Sequence, residues 1–123
     1  MQILFYSPSG DEFGKRLRQA LSEVLSGERV EVLRQVNGLI QRLRMPSSDL
    51  GMLIFAPENR EELSVVSSFL TEMHGLHIVL VLPDKESETL AIARTLQPRF
   101  LTYADGDLSD LMDFVEKMLD TSG

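Results

Sequence analysis

The residues that could do chemistry gather where the first strand-like run stops. Ile3-Leu4-Phe5-Tyr6 gives way to Ser7-Pro8-Ser9-Gly10-Asp11-Glu12. Hydroxyls and a glycine ahead of a helix start are groups that hold a phosphate against free backbone amides. Pro8 removes one such amide, and Asp11 with Glu12 places two negative charges where the phosphate would lie. His74 and His77 flank Gly75-Leu76 in a turn. Two imidazoles begin a metal site, but zinc takes three or four protein ligands. No further ligand stands near them in sequence, and the chain has no cysteine. They read as solvated turn histidines. No Ser/His/Asp arrangement, HExxH or Walker-type loop is present. The expectation is no catalytic residue, no metal site, no cofactor and no enzymatic activity.

The other strand-like runs end in the same chemically quiet way. Met52-Leu53-Ile54-Phe55 meets Ala56-Pro57, Ile78-Val79-Leu80-Val81 meets Leu82-Pro83, and Phe100-Leu101-Thr102 meets Tyr103-Ala104. In an open α/β sheet, ligands sit in the crevice beyond the carboxyl ends of the strands. Here that rim carries hydroxyls, small apolar residues and prolines.

Helical stripes alternate with these runs. Phe13, Leu17, Leu21, Val24 and Leu25 share one face, with Ser9 and Glu12 at capping-box spacing before it. Val30-Glu31-Val32-Leu33 precedes a helix carrying Val36, Leu39, Ile40 and Leu43, which Pro46 should end. Asn59 starts a helix with Leu63, Val66, Phe69, Leu70 and Met73 inside, closed by Gly75. Leu90, Ala93 and Leu96 mark a weaker helix ended by Pro98, and Asp107 caps a last helix from Leu108 to Leu119. The unbroken run Ile78 to Leu82 is of the kind buried on both faces. Five βα units predict a parallel sheet with helices on both sides, a three-layer α/β sandwich.

At 123 residues the chain reads as one domain, 1–123. The net charge of −7 is uneven. Residues 1–48 carry seven Lys/Arg against five Asp/Glu, whereas 49–123 carry five against fourteen. Such a surface repels phosphate backbones, so nucleic-acid binding is not expected. The first apolar run is too short for a signal-peptide core and no run has the length of a membrane span. With no cysteine, a reducing cytoplasm is the expected location and no membrane partner is expected.

The whole pattern resembles the response-regulator receiver domain of bacterial two-component signalling. Ile3-Leu4-Phe5-Tyr6 looks like that family's opening strand, and Ser48-Asp49-Leu50 before Met52-Leu53-Ile54-Phe55 like its approach to the phosphorylation site. Phe100-Leu101-Thr102 with Asp107-Leu108-Ser109-Asp110-Leu111-Met112 looks like its final strand and helix. The resemblance implies strand order 2-1-3-4-5, a flavodoxin-like fold. Receivers hold Mg²⁺ and accept phosphate with an acidic pair after the first strand and an aspartate after the third. A hydroxyl after the fourth strand and a lysine after the fifth complete that site. Here the acidic pair falls on Ser7, Pro8 and Ser9, and the acceptor on Phe55 or Ala56. The hydroxyl falls on Leu82 or Pro83, and the lysine on Tyr103 or Ala104. The resemblance thus implies a degenerate receiver that works through a protein partner. Lys15, Arg16 and Arg18 on the first helix, with Asp110, Asp113 and Glu116 on the last, become the candidate interaction surface. A homodimer through the fourth and fifth helices is the implied assembly. The alternative reading takes the first loop as similar to the phosphate loop of flavodoxins. Ser7, Ser9, Ala56 and Tyr103 would then form a crevice for a flavin or nucleotide, with no tryptophan to stack on it.

Overall fold

A computed structural model describes residues 2–45 and 49–122. Five strands, β1 (Gln2–Tyr6), β2 (Arg29–Leu33), β3 (Leu50–Phe55), β4 (His77–Leu82) and β5 (Phe100–Tyr103), form one sheet in the order β2-β1-β3-β4-β5. All neighbours run parallel. The connecting helices are α1 (Glu12–Val24), α2 (Val36–Arg44), α3 (Arg60–Ser67) and α4 (Ser87–Thr95), and α5 (Leu108–Ser122) ends the chain. This is the expected three-layer sandwich.

Strand alternation decides which helix covers which face. Leu4, Tyr6, Leu53, Phe55, Leu80 and Leu82 pack against Leu39 and Leu43 of α2, Leu63 and Val66 of α3, and Ala93 of α4. Ile3, Phe5, Met52, Ile54, Val79 and Val81 face the other way, against Leu17 and Leu21 of α1 and Leu111 and Val115 of α5. β4 is buried from Ile78 to Leu82 as its unbroken apolar run requires, while edge strands β2 and β5 are half-covered.

Helix ends follow local hydrogen bonds, with two departures from expectation. The cap of α1 is Asp11, whose Oδ1 accepts from the Gly14 amide at 2.8 Å. Ser9 instead accepts from the Asp11 amide at 3.3 Å, so the Ser9–Glu12 box does not form. An aspartate two residues nearer the helix outcompetes the serine for the free amides. The third helix also stops early: α3 ends at Ser67, and Leu70–Met73 forms a separate 3-10 turn. Ser67 and Ser68 donate their hydroxyls to the carbonyls of Ser64 and Val65, which draws the last turn into tighter geometry. Asn59 caps α3 through the Glu62 amide, and the Asp107 carboxylate holds the Ser109 amide at the start of α5. Gly75 takes φ +88° after the 3-10 turn, and Gln97 takes φ 48° before Pro98 at the close of α4. Pro46, expected to end α2, lies outside the described residues.

Candidate functional site

The ladder hydrogen bonds run one residue past the strands and so pin the rim. Ser7 N donates to Leu33 O at 3.0 Å, Ala56 N to Tyr6 O at 2.9 Å, and Ala104 N to Leu82 O at 2.8 Å. Between this rim and α1 lies a crevice of about 330 Å³. Phe13, Leu17, Ala56, Pro57, Val81, Pro83 and Ala104 make its apolar lining. Ser7, Ser9, Asp11 and Glu58 supply its polar groups.

The loop after β1 is held from below by arginine. Arg18 Nη1 donates to Ser9 O at 2.7 Å, Ser7 Oγ at 3.2 Å and Ser7 O at 3.3 Å. Arg34 Nη2 donates to Pro8 O at 3.2 Å. Three successive carbonyls therefore face guanidinium groups, and Ser7 is only 1% exposed. Gly14 permits this close seating of loop on helix. A Cβ there would stand 2.5 Å from Ser9 O. The Gly14 amide, then the Ser9 hydroxyl, hold the Asp11 carboxyl below the usual aspartate range. Asp11 is thus engaged as a helix cap through Oδ1.

These groups do not fit the Mg²⁺ of a working receiver. A hard cation needs several anionic oxygens in octahedral array. At the paired-acid positions stand Ser7 and Pro8 with two cationic side chains already on their oxygens, and Ala56 ends the third strand's rim. Asp11 and Glu58 are the two carboxylates in the lining, each at a helix start. Among the described residues no three His, Asp or Glu side chains gather as metal ligands would.

Of the four residues expected to line the crevice, Ser7, Ser9 and Ala56 do and Tyr103 does not. Phe100 packs toward α5, stacking on Phe114 at 4.9 Å between centroids, so the residue three positions on must face away. Tyr103 accordingly joins the α2–α4 side, half-buried, with Lys85 Nζ 5.2 Å from its ring centroid. Ala104 takes its place at the crevice. Leu82 is fully buried on that same far side. Of the residues expected to form an interaction surface, Lys15, Arg16, Asp110, Asp113 and Glu116 are exposed on the packed pair α1 and α5. Arg18 is turned inward to the loop, a role its sequence position did not signal. Arg42 pairs with Glu31 at 2.9 Å, and Arg44 lies 5.0 Å over the Phe69 ring. His74 is exposed as expected, whereas His77 is half-buried at the first position of β4.

No family model matches the chain, and no curated protein matches it in sequence. Solved structures match it along nearly its whole length. A CheY-like response regulator receiver domain protein of Methanospirillum hungatei superposes with TM-score 0.70 at 14% identity, over 98% of this chain and 94% of that one. An orphan response regulator of H. pylori gives TM-score 0.68 at 15% identity, over 97% and 96%. An atypical orphan response regulator described as having a phosphorylation-independent regulatory mechanism gives 0.66 at 14%, over 98% and 96%. The chain therefore has the flavodoxin-like α/β fold of response-regulator receiver domains.

Proposed function

We propose that this is a receiver-like regulatory domain that does not undergo phosphotransfer and acts by binding a protein partner. The observation that carries the reading is the state of the rim. Where a receiver gathers carboxylates, this chain places Ser7, Pro8 and Ala56, and two guanidiniums hold the loop's carbonyls. The carbonyls that these guanidiniums hold are not free to coordinate Mg²⁺ without breaking the loop's anchoring. Function then passes to the helical faces, a division of labour in keeping with the phosphorylation-independent orphan regulator of the same fold. Exposed Lys15 and Arg16 lie on α1 and exposed Asp110, Asp113 and Glu116 on α5, so the face made by this packed helix pair carries charge of both signs. Such a face selects an oppositely patterned partner and fixes its register.

Comparative capture from extract of the native cell tests this. Wild type is run beside a Lys15→Glu/Arg16→Glu variant and an Asp110→Lys/Asp113→Lys variant, each checked for unchanged melting. The expected result is a protein retained by wild type and released by charge reversal on one of the helices. Equal retention by all three proteins, or none by wild type, contradicts the reading.

A further inference from the structure

The opposite end of the sheet carries a second concavity, about 420 Å³ in size, between the 3-10 turn, the start of β4 and the end of α4. His74, His77, Thr95, Gln97 and Arg99 are the residues of its lining with polar side chains. Thr95 spends its hydroxyl hydrogen on Ile92 O at 2.6 Å, so it offers only lone pairs. The backbone fixes the others. Leu76 N donates to Met73 O at 3.0 Å and Arg99 N to Ile78 O at 2.8 Å, which sets Arg99 beside the start of β4. The left-handed Gln97 turns the chain sharply between α4 and Arg99.

Charge distinguishes this concavity from its neighbours. The crevice at the rim includes Asp11 and Glu58, and the groove beside β2 includes Glu28. The two shallow hollows near α3 and α4 are lined by Glu86 and other acids. The concavity at His77 has none, although the chain carries −7 overall. No ion pair among the described residues engages His74, His77 or Arg99. A guanidinium, two imidazoles and a carboxamide share one hollow at the close of α4, with no carboxylate in its lining.

We infer that this hollow binds a small soluble molecule bearing a phosphate monoester. A guanidinium fork matches two phosphate oxygens, and flanking imidazoles and an amide reach the remainder. The volume lies within the range of small-ligand sites and exceeds that of a bare anion, leaving room for the carrier of the phosphate. A phospholipid headgroup offers the same chemistry, but a chain at −7 is repelled by an anionic bilayer. The soluble source is the one the charge favours.

The test is a titration of ¹⁵N-labelled full chain with inorganic phosphate and with glycerol 3-phosphate at constant ionic strength. Saturable shifts are expected at the amides of Gly75, His77, Gln97 and Arg99, with glycerol 3-phosphate the tighter ligand. Arg99→Gln should weaken it about tenfold or more, the worth of a charge-assisted hydrogen bond. Exposed His74→Gln provides a second variant should the first disturb the fold. Unchanged affinity in a folded variant, non-saturating shifts, or equal shifts at the helix starts near Asp11 and Asn59 overturns the inference. A parallel arm uses phosphatidylcholine vesicles containing phosphatidic acid. No co-sedimentation is expected, and vesicle binding lost in Arg99→Gln overturns the soluble assignment.

Discussion

Replacing Arg18 by methionine keeps a long apolar stem on α1 and removes the guanidinium that holds the loop after β1. Three acceptors lose their donor: Ser9 O at 2.7 Å, Ser7 Oγ at 3.2 Å and Ser7 O at 3.3 Å. A hydrogen bond to a charged group is worth about 1.5–3 kcal/mol. Arg18 is half-buried and two of the three contacts are long, so the expected loss is about 2 kcal/mol, toward the lower end of that range. Unfolding entropy of about 2.1 cal/mol/K per residue gives about 0.26 kcal/mol/K for a chain of 123 residues. The melting midpoint should fall by about 8 °C. Circular dichroism melts read this directly, and urea unfolding should show an unchanged slope with an earlier midpoint. Ser7→Ala loses one acceptor and should cost about 1 kcal/mol. The double variant should fall short of the sum, because both changes remove one interaction. An Arg18→Met midpoint within about 2 °C of wild type would refute the claim that arginine anchors this loop.

Three more outcomes follow from the same geometry. Gly14→Ala gains about 1 kcal/mol of helix propensity, yet sets a Cβ 2.5 Å from Ser9 O. Overpacking at about 1–3 kcal/mol should win, and urea unfolding that shows net stabilisation would sink the close-approach argument. Tyr6 Oη is enclosed with no partner inside about 3.5 Å, the Glu62 carboxylate reaching it only at longer range, and burial, then the charge and this loose contact of Glu62, push the phenol well above its ordinary value. Tyr6→Phe should stabilise by about 1 kcal/mol in the same assay, and a loss of that size would reveal a partner for the hydroxyl. In a Tyr103→Phe background, absorbance titration should show no phenolate until the fold is lost, with stability falling as pH rises beyond the ordinary tyrosine value of about 10. Asp11, Asp49 and Asp107 all sit below the usual carboxylate range. The causes are the Gly14 amide for Asp11, the hydrogen bond and charge of Arg29 for Asp49, and the Ser109 amide and hydroxyl for Asp107. Their stabilisation is complete above the unfolded value of about 3.9 and is lost as pH falls through the lower folded values. Melting midpoints should hold down to about pH 5 and then drop, less steeply in Asp11→Asn/Asp107→Asn. An equal slope in that variant removes these carboxylates as the cause.

The layers of the fold were readable because each apolar run and helical stripe has one period and one place to go. β4 is apolar at every position from Ile78 to Leu82, and burial on both sides follows without further information. Local competition was harder to read. Ser9 and Asp11 both offer an oxygen near the first free amides, and spacing alone does not rank them. Met73 remains buried through a 3-10 turn, so the apolar stripe runs on across a break made by two serine hydroxyls. The placement of Tyr103 was available from alternation. Phe100 and Tyr103 differ by three and must face opposite sides. Arg18 had no local signal. An arginine on the outward half of a helix looks the same in sequence whether it meets solvent or folds back onto a loop eleven residues earlier.

A domain that does not undergo phosphotransfer, as proposed, takes up no phosphoryl group at its rim. Intact-mass measurement after incubation with acetyl phosphate and Mg²⁺ tests this most directly. The account predicts a single species of unmodified mass. A stoichiometric acyl-phosphate adduct, labile to hydroxylamine and mapped to any carboxylate near the crevice, contradicts it.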